Sequence, residues 1–362
     1  MSRTAVRPGS AVGIRNGRSA MGKQEANIYE IAREAGVSIA TVSRVMNHSA
    51  SVSEKSYQKV MAAVSKFNYV PNGTARSLST STSNAIGVVI PDINNPFFPM
   101  LLQGITRVAD EQGYNIFLFN TDEDSNREHQ VLHSMREHRL RGIIITPVSE
   151  EDGITLQSLR KFESLGIPVV LLDREVDSRF FDRVVTDDER GVYEAVSELI
   201  RLGHRRIAIV TGPKASRPGR ERLRGYVRAM QTHGIELRPG YIREGDFKVS
   251  RAYEQTVALC RMSEPPTAIF ASNNMTTYGC LKAFNELGLR AGREISLIGF
   301  DDIDALGWLN YNVSVVNRAV PEMGERAMRL LLQRFEKERQ TQVGTRDCLP
   351  TELILRGSES MK

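Results

Sequence analysis

Cysteine is scarce in this chain: Cys260, Cys280 and Cys348 are the three among 362 residues. None stands in a CxxC or metal-ligand spacing, so a disulfide framework and a cysteine metal site are excluded, and the thiols read as reduced cytosolic groups or core residues. Long apolar runs are also missing. No stretch approaches the roughly 20 residues needed to span a bilayer, and no membrane partner is expected. The fingerprints of common catalysts are absent too: no GxxxxGK[ST] loop, no GxSxG elbow, no HExxH helix. The six histidines (His48, His129, His133, His138, His204, His233) form no evident catalytic set. His129, His133 and His138 lie at spacings of a solvated, charged helix face rather than of a metal site. The expectation is a protein that is not an enzyme, with no cofactor and no metal.

What is present is an ordinary soluble composition, 41% hydrophobic and 25% charged, on a chain long enough for two or three domains. The net charge of +5 is unevenly placed. Residues 1–83 hold 11 Lys and Arg against 4 Asp and Glu; the remainder holds 37 against 39. Excess positive charge at one end suits phosphate neutralisation on a nucleic acid. Residues 1–26, basic and rich in Gly and Ser, read as a disordered arm.

Residues 27–71 read as a helix-turn-helix domain. IYEIAREA puts Ile28, Ile31, Ala32 and Ala35 on one helical face. Gly36 supplies the positive φ of a sharp turn, Val37 plugs the angle, and Ser38 caps the next helix. That helix turns Val42, Val45 and Met46 inward and Thr41, Ser43, Arg44 and Asn47 outward. A third helix starts near Ser53 and adds Tyr57, Val60, Met61 and Val64 to the small core. Asn68-Tyr69-Val70-Pro71 stops it. Residues 72–83 read as a hinge: a short helix from Asn72 to Leu78, marginal alone in water, and a polar linker.

From Ala85 the pattern becomes alternating apolar strands and amphipathic helices, which indicates parallel sheets covered on both faces. Strands are expected at 85–91, 115–121, 142–147, 167–173, 206–212, near 241–244, 267–272, 295–301 and 350–356, with helices between them and at 321–337. The fold class is α/β: a three-helix helix-turn-helix domain and hinge, then two doubly wound α/β subdomains. The core is placed at 84–358, with one subdomain at about 84–187 and 318–345 and the other at about 188–316 and 348–358. Ligands in such folds bind at the carboxyl ends of strands. Candidates there are Asn95, Phe97 and Phe98 after the first strand, Asp173 with Arg174 after the fourth, Arg222, Phe247, Asn274 after TAIFAS, and Asp301 after ISLIGF. Aromatic rings stack on the apolar face of a sugar or base, while Arg and Asp orient its hydroxyls.

The runs VSIATVSRVMN, NYVPNGTARSL, IGVVIPDINNPFF, RGIIITP, GIPVVLLDR, LGHRRIAIVTG, RERLRGYVRAM, PPTAIFASNN, ISLIGFDDI and LPTELILRGS occur in the order of the lactose-repressor/galactose-repressor (LacI/GalR) family of bacterial transcription regulators. From Asn27 to Ser358 the chain resembles that family, and its two α/β subdomains resemble those of periplasmic-binding-protein type. The resemblance implies a repressor whose operator affinity is controlled by a small sugar-like effector bound between the α/β subdomains. It also implies a homodimer in the cytoplasm, associated with the nucleoid, on a pseudo-palindromic operator with a central CG step. The base-reading positions match Ile39, Ala40 and Arg44. Only Arg44 can read by hydrogen bonds, through a two-pronged contact to guanine. Ser38, Thr41, Ser43, Asn47 and Ser53 are short polar groups suited to phosphate. Ala75 and Leu78 would enter the minor groove, a pair of Leu78 side chains wedging the central step. Arg222 matches a ligand-binding position. Asn274 stands where the family usually has Asp, which with Arg222 nearby favours a sugar acid or a phosphorylated sugar. The competing reading is a cytosolic sugar-binding module without regulatory DNA binding.

Overall fold

A computed structural model describes residues 27–46, 52–69, 84–336 and 343–360. The chain divides into two compact units, one ending at Thr82 and one beginning at Ser83.

The first unit holds α1 (Ile28–Ala35), α2 (Ile39–Met46) and α3 (Glu54–Phe67). Local chemistry sets each end. Asn27 Oδ1 accepts from the backbone N–H groups of Tyr29 and Glu30 at 3.0 and 3.1 Å, and Glu30 accepts from the N–H of Asn27 at 2.9 Å. This reciprocal capping box satisfies donors that a helix start leaves open. Gly36, at φ 63°, ends α1 in the left-handed region, which costs glycine nothing. Ser38 caps α2 by accepting from the N–H of Thr41 at 3.1 Å. Ser53 caps α3, and Asn68 closes it at φ 48°. Ile31, Ala32, Ala35, Val42, Val45, Val60 and Ala63 are buried together. Asn47, Ala75 and Leu78 lie outside the described residues, as does the expected hinge helix.

The second unit carries two six-stranded sheets. The first run is β1 (Ala85–Ile90), α4 (Phe97–Glu111), β2 (Asn115–Asn120), α5 (Ser125–Ser134) with a 3-10 turn to His138, β3 (Gly142–Ile145), α6 (Gly153–Ser164), β4 (Val169–Leu172) and β5 (Asp182–Thr186). The second repeats it: α7 (Asp188–Arg201), β6 (Ile207–Thr211), α8 (Arg217–Thr232), β7 (Ile242–Glu244), α9 (Val249–Cys260), β8 (Ala268–Ala271), α10 (Asn274–Leu287), β9 (Ser296–Phe300), the short α11 (Asp304–Trp308) and β10 (Ser314–Arg318). Then come α12 (Val320–Glu336), β11 (Arg346–Leu349) and β12 (Thr351–Ile354). The strand orders are β11-β5-β4-β3-β1-β2 and β12-β10-β9-β8-β6-β7, so the two sheets match strand for strand. Pairing is parallel throughout except where β12 runs antiparallel to β10.

Three connections pass between the sheets. After β5 the chain crosses into α7, which packs on the second sheet. After β10 it returns in α12, which packs with α4 on the first. After β11 it crosses again into β12. The strands β5, β10 and β11 are additions to the expected set. Since β11 keeps residues 346–349 in the first sheet, the last crossing falls at Pro350 rather than between 345 and 348, and Arg318 ends a strand of the second sheet rather than opening a return to the first. The covering of both faces holds for the central strands. Edge strand β2 departs from it, leaving Phe117 and Leu118 43% and 39% exposed.

Helices α4 and α12 meet backbone to backbone. A Cβ on Gly104 would lie 1.9 Å from the Pro321 carbonyl oxygen, and one on Gly324 would lie 2.2 Å from that of Leu101. Glycine at both positions allows an approach that any side chain would prevent. This contact fastens the first return of the chain and leaves Arg318, two residues before α12, at the mouth between the sheets.

Candidate DNA-reading face and ligand cleft

In the first unit, α2 turns Val42 and Val45 into the core and leaves Ile39, Ala40 and Arg44 exposed. The exposed triplet spans about one and a half helical turns of one polar-facing side, with Arg44 the longest reach. The hydroxyls are more occupied. Ser38 Oγ and Thr41 Oγ1 are 2.9 Å apart, and Ser53 Oγ and Ser56 Oγ are 3.0 Å apart. Ser38, Thr41 and Ser53 therefore already serve as helix-start groups; a hydroxyl with one donor and two acceptor sites keeps capacity for a phosphate oxygen. Ser43 is half-buried on α2. Arg33, Lys55 and Lys59 are exposed as well, and add positive charge to this unit.

In the second unit, the carboxyl ends of both sheets converge on one recess. It is lined by Asn95, Phe97, Phe98, Asp173, Arg174, Pro218, Arg222, Phe247, Asn273, Asp301 and Arg318, and its volume is about 20 Å³. That is room for roughly one water molecule. Eight of the nine expected ligand residues line it. Asn274 does not: its side-chain amide donates to Asn95 Oδ1 at 2.9 Å and its own Oδ1 accepts from the Met275 N–H at 2.8 Å. Its neighbour Asn273, the N-cap of α10, faces the recess instead.

The polar groups are nearly all paired. Asp173 and Asp301 follow the matched strands β4 and β9, both at left-handed φ of 65° and 67°. Arg318 joins them. Its Nε and Nη2 donate to the two oxygens of Asp301 at 2.7 and 3.0 Å, and its Nη1 donates to Asp173 at 2.5 Å. Burial disfavours the charge on Arg318, but Asp301 and Asp173 outweigh burial and hold its pKa above the ordinary value. Arg222 donates to Asp188 at 2.8 Å and to the Ser272 carbonyl. Asp188 is fully buried. Burial alone would raise its pKa; Arg222, Arg318 and Arg217 reverse that and hold it below the usual carboxylate range. Arg174 makes a two-pronged pair with Glu123 at 2.7 and 2.8 Å. A buried charge is tolerated only when paired in this way.

Aromatic rings complete the recess. Phe97 and Phe98 open α4, edge to face at 5.0 Å, and also belong to the apolar core of the first sheet. The Arg318 guanidinium sits 4.2 Å from the Phe97 centroid, and that of Arg222 sits 3.5 Å from Phe300 and 5.7 Å from Phe247. Phe247 holds its place in a left-handed turn, φ 56°. Gly212 makes room for it: a Cβ there would meet the ring at 2.0 Å.

Two consequences follow for the sequence-based expectations. Arg318 was missed because β10 was, and no local signal marks it; its partners are 17 and 145 residues away. The case for an acidic ligand needed an Arg222 with charge to offer, and Asp188 takes that charge. Elsewhere, His129 Nε2 lies 2.6 Å from Asp152. Among the described residues no group of His, Cys, Asp and Glu is arranged to hold a metal ion, and no helix is long and apolar enough to cross a membrane.

Comparison with known proteins adds independent support. Residues 27–72 match the family of bacterial regulatory proteins of the lacI type, and residues 196–359 match a periplasmic binding protein-like domain. The ribose operon repressor of Halalkalibacterium halodurans is 32% identical over 329 residues, 91% of this chain and 96% of its own. Among solved structures, the Lac repressor dimer bound to operator and the anti-inducer ONPF superposes with a TM-score of 0.82 at 27% identity, over 93% of this chain and all of the other. A LacI family regulator of Enterococcus faecium with bound ribose gives 0.68 at 27% identity, over 76% and 98%.

Proposed function

The chain belongs to the lacI family of bacterial regulatory proteins, a DNA-binding regulator with an effector-binding domain, and on that footing we propose that it is a cytoplasmic homodimeric repressor controlled by a neutral, sugar-like effector. The observation that carries the effector class is the convergence of Asp173, Asp301, Phe97 and Phe247 at the carboxyl ends of both sheets. Carboxylates accept hydroxyl hydrogen bonds and the rings offer flat apolar faces, which together match a polyol. The arginines of the recess are neutralised by their own acids, so they favour a neutral sugar over a sugar acid. The ribose in the Enterococcus faecium structure agrees with that class.

The recess is far smaller than a monosaccharide. An effector therefore enters only when the two subdomains part or rotate, and its binding energy is tied to their relative position. If the hinge segments pair on DNA in one of those positions only, effector and operator affinities are reciprocally coupled. On the DNA side, Arg44 reads guanine while Ile39 and Ala40 pack on base methyls or sugars. Ser38, Thr41, Ser43, Asn47 and Ser53 hold phosphates, and Ala75 and Leu78 enter the minor groove at a central CG step. The pseudo-palindrome follows from a two-fold dimer. Exposed apolar side chains support that dimer: Phe117 and Leu118 on β2 with Met100 on adjoining α4 in one subdomain, and Trp308, Leu309 and Tyr311 in the other.

Selection of operators from a random duplex pool, joined to thermal-shift screening, tests this reading. The expected result is a palindromic consensus with a central CG step, and stabilisation by neutral aldoses but not by aldonates or sugar phosphates. Stabilisation by the acids alone would overturn the effector class, and the absence of any enriched sequence would overturn the regulator's proposed DNA contacts.

A further inference from the structure

We propose that Arg318 is a latch between the two subdomains and a positioning residue for the ligand site: it pulls the sheets together and presets Asp173 and Asp301 as a pair of acceptors for hydroxyl groups. The proposal rests on the cleft being the effector site. Its basis is where each contact lies. Arg318 ends β10, a strand of the second sheet, and its pair with Asp301 stays within that sheet. Asp173 and Thr186 belong to the first sheet, and Nη1 reaches both, at 2.5 and 3.4 Å. The ring contacts repeat the pattern, with Phe97 of the first subdomain at 4.2 Å and Phe300 of the second at 5.2 Å. One guanidinium thus ties both halves by charge and by stacking.

Four of its five N–H groups are taken by protein oxygens in these bonds. Arg318 therefore has almost nothing to offer a ligand anion directly. Asp301 is oriented through both oxygens, each of which keeps a further acceptor site, while Asp173 gives one oxygen to the latch and leaves the other clear for a hydroxyl. Such a site selects donors and disfavours a second negative charge.

The neighbours cannot substitute. Arg174 is bound by Glu123, Arg222 by Asp188, and Arg217 donates to the Thr186 carbonyl at 2.9 Å beside Glu175. With Arg318 removed, Asp173, Asp188 and Asp301 are left with less positive charge among them, and the facing pair Asp173 and Asp301 repel across the cleft. The subdomains then separate.

The experiment uses the full chain and three variants: Arg318→Gln, Arg318→Lys and Asp173→Asn. Small-angle scattering without sugar reads subdomain closure. Calorimetric titration with D-ribose, D-glucose and D-gluconate reads affinity and selectivity. The expected result for R318Q is a larger radius of gyration and sugar affinity weaker by on the order of 10- to 100-fold. R318K, which keeps the charge but loses the fork, should fall between them. D173N frees the first subdomain from the latch without unpairing Arg318 from Asp301, so it should also expand; it decides the matter if R318Q does not fold. Variants as compact as wild type would overturn the latch. If no sugar of the panel binds wild type while R318Q and D173N still expand, the effector reading fails and the latch stands. If sugars bind wild type and every variant alike, the latch fails and the effector reading stands.

Discussion

Replacing Asp188 with Asn should cost the larger unit more stability than any surface change, and the structure sets the scale. Asp188 is completely buried and Arg222 is 2% exposed, with 2.8 Å between Nε and Oδ2. Thr186 also donates to Asp188. The amide keeps the shape but removes the charge, leaving a buried guanidinium held only by the Ser272 carbonyl and its rings. Removing one partner of a buried pair costs about 3–5 kcal/mol. For a unit of this size each kcal/mol lowers Tm by roughly 2–4 °C, so the melting transition should fall by roughly 6–20 °C. The pH dependence gives a second handle. Folding holds the Asp188 pKa below its unfolded value, against burial, through Arg222, Arg318 and Arg217. Its stability is therefore fully present above the unfolded pKa of about 3.9 and is lost as pH falls through the folded one. The gap between wild type and D188N should be widest at neutral pH and narrow only below about pH 4. Calorimetry of the full chain from pH 7 to pH 3 reads both effects. A D188N transition within about 2 °C of wild type at pH 7, or a gap that widens on acidification, would refute the reasoning. The apolar double variant Asp188→Leu/Arg222→Met should recover much of the loss while still failing to bind sugar.

Further outcomes follow from other parts of the molecule. Arg44→Ala should abolish preference for the selected operator, at least about 1–3 kcal/mol per half-site, while low-salt binding to random duplex survives; a gel-shift titration distinguishes the two. Gly104→Ala places a methyl against the Pro321 carbonyl, a backbone atom that cannot step aside cheaply, and should destabilise by about 1–3 kcal/mol in urea unfolding. Asn27→Ala removes the acceptor of the α1 capping box and should cost the small unit about 1 kcal/mol, seen as earlier loss of helical circular dichroism. Phe117→Asp combined with Trp308→Asp should turn the dimer into a monomer by sedimentation velocity, with operator affinity falling in step.

The parts of the fold that could be read in advance are those built from local signals. Asn27 and Glu30, Gly36, Ser38 and Ser53 are turn and cap residues that act within a few positions of themselves, so the three helices of the small unit are visible in the letters alone. Strands such as β1, β3 and β8 are continuous apolar runs because both faces are covered. The strands that escaped notice carry charge that only distant residues neutralise. In β5, Asp182 pairs with Arg334 at 2.8 Å and Arg183 lies 3.2 Å from Glu175. In β11, Asp347 pairs with Arg326 at 2.9 Å. In β10, Arg318 needs Asp173 and Asp301. Each looks like a loop until its partner is in place. The ligand site divides the same way. The placement of Asp173 and Asp301 at strand ends facing the recess was legible from the rule that such folds gather polar groups there. The direction of Asn274 was not, because its choice of Asn95 over the recess is made across the two sheets. The hydroxyls of Ser38, Thr41 and Ser53 show the converse: residues singled out for phosphate have a prior local task, Ser38 and Ser53 as helix caps and Thr41 as the partner of Ser38.

The proposed function turns on coupling, within one chain, between the cleft and the DNA-reading helix. Fluorescence anisotropy of a labelled, selected operator, titrated with wild-type protein with and without a saturating concentration of the sugar that stabilises it, tests this most directly. The sugar is expected to shift the operator dissociation constant by on the order of 10- to 100-fold and to leave random duplex binding unchanged. Identical operator affinity with and without the bound sugar would contradict it.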